Sequence, residues 1–94
     1  MTKTIIDEFL ESMDPEEGLM YPTGYEDCIL GVIESIGSGR KIVMSTKGII
    51  QKLIDEGMTH EEAIEMFEYN IIGSYVGEGT PVYFTSVQDI VEGF

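Results

Sequence analysis

Residues 28–45 read CILGVIESIGSGRKIVMS, and this stretch decides the fold. Two runs rich in apolar and β-branched side chains, 28–36 and 40–45, flank a glycine-rich GSG segment at 37–39. Such runs favour strands, and a short glycine-containing link between them favours a tight turn. We therefore expect an antiparallel β-hairpin, with Gly31 at a bulge or a close backbone approach. The GSGRK segment lacks the spacing of a phosphate-binding loop and leads into a strand, so that reading is rejected.

Two helices are expected after the hairpin. Ser45 or Thr46 is placed to cap the first, and Gly57 is placed to end it in the left-handed region. Thr59 and Glu62 form a capping-box pattern that starts the second helix. That helix is expected to fray at 70–73. Its apolar residues fall on one helical face: Ala63, Ile64, Phe67 and Ile71.

The two ends of the chain add shorter elements. Thr4 can cap an N-terminal helix with an apolar face that ends before Pro15. A third strand is expected at Pro81–Thr85, and Ser86 can cap a short last helix. The expected fold is thus α+β in one domain, residues 1–94. It has a small antiparallel three-stranded sheet packed against a helical hairpin, with short N- and C-terminal helices.

Charge is distributed very unevenly along the chain. The net charge is −13 over 94 residues. Residues 1–34 contain nine acids and one lysine, residues 35–54 contain four bases and no acid, and residues 55–94 contain nine acids and no base. This balance disfavours direct binding of nucleic acid or of an anionic membrane. It favours a partner with a basic surface, through attraction that weakens as salt rises.

The chain has little catalytic equipment. His60, the single histidine, falls at the first position of a helix, and Cys28, the single cysteine, lies in an apolar run. The chain has no second histidine or cysteine that could complete a metal site with either residue. The paired acids do not follow the spacing of a calcium-binding loop. We expect no enzyme activity, no catalytic residue, no dedicated metal site and no cofactor. One cysteine and the absence of a long apolar run suggest a cytoplasmic location, in the host cell if the protein is phage-encoded.

The second predicted helix carries a stripe of glutamates. Like charges at this spacing cost a few tenths of a kcal/mol each, so their presence suggests a surface built to present negative charge. Tyrosine is favoured at protein interfaces. We therefore expect a partner-binding surface formed by Asp55, Glu56, Glu61, Glu62, Glu65, Glu68, Tyr69 and Tyr75.

Part of the chain resembles a set of small phage and prophage proteins. The resembling stretches are GYEDCILGVIESIG, from Gly24, and EGMTHEEAIEMFEYNIIGSYVGEGTP, which ends at Pro81. The FEYNIIGSYVGEGTP end is the more particular part. Members of this set often have arginine or glutamine where this chain has Ser35 or Ser38, so the turn differs. The resemblance implies a phage context and no specific activity.

Three functions are open at this point. The leading one is a small acidic phage-type binding protein that inhibits or sequesters a host protein, such as a nucleic-acid-binding enzyme, by imitating a nucleic acid. The second is a structural or assembly subunit that forms a homo-oligomer, with GSYVGEGTP at the contact. The third is a small-molecule protein with a pocket near Tyr75 to Tyr83, in which Arg40, Lys41 or Lys47 holds an anion.

Overall fold

A computed structural model describes residues 4–35, 39–72 and 79–93. Within them the chain forms four α-helices, one π turn, three strands and two 3₁₀ turns, Pro15–Glu17 and Glu26–Cys28. The helices are α1 (Ile5–Ser12), α2 (Thr46–Asp55), α3 (His60–Met66) and α4 (Val87–Val91), and the π turn, Phe67–Ile72, continues α3. The strands are β1 (Ile29–Ser35), β2 (Gly39–Ser45) and β3 (Val82–Phe84). The α+β class and the three-stranded sheet are confirmed.

The hairpin has the predicted antiparallel pairing. β1 pairs with β2 from Ile29, opposite Met44, to Ser35, opposite Gly39. The register shifts between Ile29 and Gly31, because Gly31 lies opposite Val43 and leaves Leu30 as an extra residue. This is the bulge that a glycine inside a strand pattern predicts.

The third strand runs in the direction that was not expected. β3 lies beside β2 on the side away from β1 and is parallel to it, so the sheet is mixed rather than antiparallel throughout. Val82 pairs with Val43 and Phe84 pairs with Ser45. The physical reason is the connection, since α2, α3 and the π turn lie between the two strands and provide the long crossover that a parallel pair needs.

The core lies between the sheet and the helices. The alternation along β2 buries Ile42 and Met44 on one side of the sheet. The helices cover this side with a set of buried residues: Ile49, Ile50, Leu53, Ala63 and Phe67. The Phe67 ring meets the Tyr83 ring edge to face, with centroids 5.3 Å apart. Helix α1 packs only half-buried side chains against this core.

Local hydrogen bonds start the helices where the sequence predicts. Thr4 and Asp7 form a reciprocal capping box, with both bonds 3.1 Å long. Ser45, rather than Thr46, caps α2 by accepting a hydrogen bond from the Gly48 N–H at 2.9 Å. Gly57 follows α2 at φ +108°, a backbone conformation that favours glycine.

Candidate acidic interaction surface

Helix α3 presents its glutamates to solvent because its other side is buried. Ala63 and Phe67 are in the core, whereas Glu61, Glu65 and Glu68 are exposed. In the described residues these three carboxylates make no ion pair or side-chain hydrogen bond. They are therefore available to a cationic partner.

Glu62 combines a structural role with its place on the surface. Its Oε1 accepts a hydrogen bond from the Thr59 N–H at 2.9 Å, and its own N–H donates to Thr59 Oγ1 at 3.1 Å. The hydrogen bond from the Thr59 backbone lowers the pKa of the Glu62 carboxyl. The charge at this position is thereby held at the N-terminal end of α3, where a helix favours a negative group.

A shallow cleft lies along one side of α3. We call it the acidic cleft; its volume is about 320 Å³, and it is lined by Met58, Glu62, Glu65, Met66, Tyr69 and Asn70. The two carboxylates are combined with two thioether side chains and a tyrosine that is 77% exposed. Such a site suits a lysine or arginine side chain, whose alkyl stem packs on the methionines while its charge meets the glutamates. Tyr69 adds an aromatic face on which a cation can stack.

The π turn continues α3 beside this cleft. It runs from Phe67 to Ile72, where fraying was expected from the sequence. Ile71 is half-buried and Asn70 is exposed. The inward place of Ile71 agrees with the helical periodicity of Ala63 and Phe67, whereas the π turn itself was not predicted.

Asp55 and Glu56 are exposed but do not line the acidic cleft. Asp55 Oδ1 accepts a hydrogen bond from Gln51 Nε2 at 3.0 Å. Glu56 lies near Tyr25, whose pKa is raised first by burial and then by the Glu56 charge. Of the predicted surface, the structure brings together Glu62, Glu65 and Tyr69 in the cleft, with Glu61 and Glu68 on the same helix and turn. Tyr75 lies outside the described residues.

Three acids outside α3 are paired with bases in the described part of the chain. Arg40 makes a two-bond ion pair with Glu17, with Nε and Nη2 each donating at 2.6 Å. Lys52 Nζ lies 3.0 Å from Asp27 Oδ1, and Lys47 Nζ lies 3.4 Å from Asp89 Oδ1. The basic partners lower the pKa of the Glu17 and Asp27 carboxyls. Two of the nine acids in residues 1–34 are therefore already paired with a base.

A second cavity shares Asn70 with the acidic cleft. Its volume is about 540 Å³, and it is lined by Leu19, Met20, Tyr21, Pro22, Asn70, Ile71, Pro81 and Tyr83. The Met20 N–H donates to the Gly79 carbonyl at 3.0 Å beside it. Its described lining includes no lysine or arginine, and Arg40 and Lys47 instead make ion pairs with Glu17 and Asp89. An anion site there has no described cationic group to hold it.

Cys28 and His60, the two residues weighed for catalysis, differ in exposure. Cys28 is buried, and burial raises the pKa of its thiol. His60 is exposed at the first position of α3. Within the described ranges, no three side chains of His, Cys, Asp or Glu are grouped to hold a metal ion.

Comparisons with protein-family models, curated proteins and solved structures give no match for this chain. No helix in the described part combines the length and apolar character required to cross a bilayer.

Proposed function

We propose that this chain is a non-enzymatic acidic binding protein that holds a basic surface of another protein through α3. The observation that carries the proposal is the acidic cleft, in which Glu62 and Glu65 flank Met58, Met66 and an exposed Tyr69. A helix face that only keeps the protein in solution needs charged side chains and no apolar ones. Apolar contacts and an aromatic ring among the carboxylates instead suit a lysine or arginine side chain.

The proposal extends the phage context that the sequence resemblance implies. A phage product of this kind would occupy a basic surface on a host protein in the host cytoplasm, and a nucleic-acid-binding enzyme is the partner class with such a surface. Carboxylates at helical spacing would then stand in for phosphates. The unpaired state of Glu61, Glu65 and Glu68 supports this idea, since no described base competes for them.

The first test uses a labelled hexa-arginine peptide as a probe of cation binding. Nuclear magnetic resonance titration of the isotope-labelled protein should move amide signals from Met58 to Asn70 first. Fluorescence anisotropy should show weaker binding by the triple variant Glu61→Gln, Glu65→Gln, Glu68→Gln. A control triple variant, Glu8→Gln, Glu16→Gln, Glu92→Gln, has the same net charge and alters exposed acids outside α3. Equal loss in both variants would mean that net charge alone drives binding and would refute the proposal.

A second candidate function rests on the larger cavity. Its volume of about 540 Å³ lies in the range of small-molecule pockets, and its lining is largely apolar with two tyrosines and one amide. The occupant would be an uncharged, mainly apolar compound. Thermal shift against nucleotides and neutral aromatic compounds tests this, with Ile71→Trp as a variant that fills the cavity. Stabilisation by a neutral compound that Ile71→Trp abolishes would support this function.

A further inference from the structure

Tyr69 presents an aromatic ring to solvent at the acidic cleft. Its side chain is 77% exposed and is not among those that pack on the core. Within the described part of the chain, it makes no hydrogen bond and no contact with another ring or with a cation. It lines the cleft together with the carboxylates of Glu62 and Glu65. The ring is therefore available to a cation that those carboxylates attract.

The two carboxylates of the cleft differ in the oxygen atoms that they can offer. Glu62 Oε1 already accepts a hydrogen bond from the Thr59 N–H at 2.9 Å, which leaves Oε2 for a partner. Glu65 makes no ion pair or side-chain hydrogen bond with the described residues, so both of its oxygens are available. A guanidinium group has five N–H donors in a planar fork, whereas an ammonium group has three donors at one point. An arginine can thus pair with Glu65 through two bonds and still reach Glu62.

Two ion pairs inside this fold show how the two basic side chains differ. Arg40 donates from Nε and Nη2 to the two carboxylate oxygens of Glu17, at 2.6 Å each. Lys52 Nζ donates to one oxygen of Asp27 at 3.0 Å and lies 5.8 Å from the centroid of the Tyr25 ring. A carboxylate beside a tyrosine ring therefore already holds a cation in this protein. Arginine, however, engages both oxygens of its carboxylate.

We infer that Tyr69 makes the acidic cleft select arginine over lysine, an inference that rests on the proposed capture of a basic partner. A guanidinium is flat and weakly hydrated, so its face can stack on the Tyr69 ring while its edge donates to the carboxylates. An ammonium is compact and strongly hydrated, and it must lose water to approach the ring. Met58 and Met66 can cover the alkyl stem of either side chain, so they do not discriminate. The partner surface is then rich in arginine rather than lysine.

Labelled hexa-arginine and hexa-lysine, which have the same length and charge, test this selectivity by fluorescence anisotropy. The wild type should bind hexa-arginine more tightly. The ratio of the two affinities should fall about two- to fivefold in Tyr69→Leu, mainly through weaker binding of hexa-arginine. Tyr69→Phe keeps the ring and should keep the ratio, and Tyr69→Gln is a second variant without a ring. The control is Phe84→Leu, which removes a 51% exposed ring outside the cleft and should leave the ratio unchanged.

A second pair of variants tests the carboxylate contact. Glu65→Gln should weaken hexa-arginine binding more than Glu61→Gln, which removes the same charge from α3 but does not line the cleft.

The outcomes separate the selectivity from the proposed function. Equal affinity for both peptides, with amide signals from Met58 to Asn70 moving in each titration, would overturn the selectivity and leave the proposed function intact. Binding of neither peptide would overturn both. An affinity ratio that Tyr69→Leu and Tyr69→Gln leave unchanged, or that Phe84→Leu lowers equally, would refute the role of Tyr69.

Discussion

The α3 glutamates should reduce the stability of the fold, and this cost can be measured. Glu65 has like charges three or four residues away at Glu61, Glu62 and Glu68. Each such pair destabilises a helix by about 0.2–0.5 kcal/mol. The pairs of Glu65 with Glu61 and with Glu62 lie inside α3, so each contributes its full repulsion to the estimate. The pair with Glu68 spans the start of the wider π turn at Phe67 and contributes less. Replacing both Glu65 and Glu68 by glutamine should therefore raise the free energy of unfolding by about 0.5–1 kcal/mol.

Urea denaturation is the appropriate assay because urea is uncharged and leaves the repulsion unscreened. The double variant should also melt about 2–8 °C higher than the wild type, given the size of the domain. Glu16→Gln with Glu92→Gln is the matched control, since it removes two exposed charges outside α3 and should change stability less. The stabilisation should largely disappear in about 1 M salt. A double variant no more stable than the control, or an advantage that persists in high salt, would refute the local repulsion.

Three further predictions concern the core, a close backbone contact and acid stability. Leu53→Ala, at a position only 2% exposed, should cost about 2–5 kcal/mol in urea denaturation and can leave a chain of this size unfolded. Gly79→Ala should lower the melting temperature, because a Cβ there would collide with the Gly18 carbonyl oxygen; an unchanged melting temperature would contradict this contact. Glu17 and Asp27 have lowered pKa values in the fold, so their contribution to stability is present above the unfolded pKa of about 4 and is lost as pH falls through the folded pKa. The stability difference between the wild type and Lys52→Gln, measured from pH 6 to pH 2.5, should shrink accordingly, and a constant difference would show that the Asp27 pair does not affect stability.

Features set by neighbouring residues could be predicted from the sequence. The capping box at Thr59 needs only Glu62 three residues later, and the bulge at Gly31 follows from a glycine inside an apolar strand pattern. Each depends on residues a few positions apart, so the local pattern contains the information. The helical hairpin and the buried side of α3 followed from periodicity for the same reason.

Features set by distant contacts could not be predicted in this way. The direction of β3 depends on how the long connection returns the chain to β2, which no local pattern specifies. The pairing of Arg40 with Glu17 joins residues 23 positions apart, so the sequence showed an excess of acids without showing which were neutralised. The π turn at Phe67–Ile72, which contributes Tyr69 and Asn70 to the acidic cleft, likewise had no recognisable local signal.

Capture of a basic partner by α3 should weaken as the salt concentration rises, because screening reduces the attraction between the glutamates and the cationic groups of the partner. The affinity for hexa-arginine, measured from about 0.05 to about 0.5 M salt, should fall steadily for the wild type. It should fall less steeply for the triple variant Glu61→Gln, Glu65→Gln, Glu68→Gln, because fewer charges then contribute to binding. An equal salt dependence in the two proteins would show that these glutamates are not the groups that hold the cation.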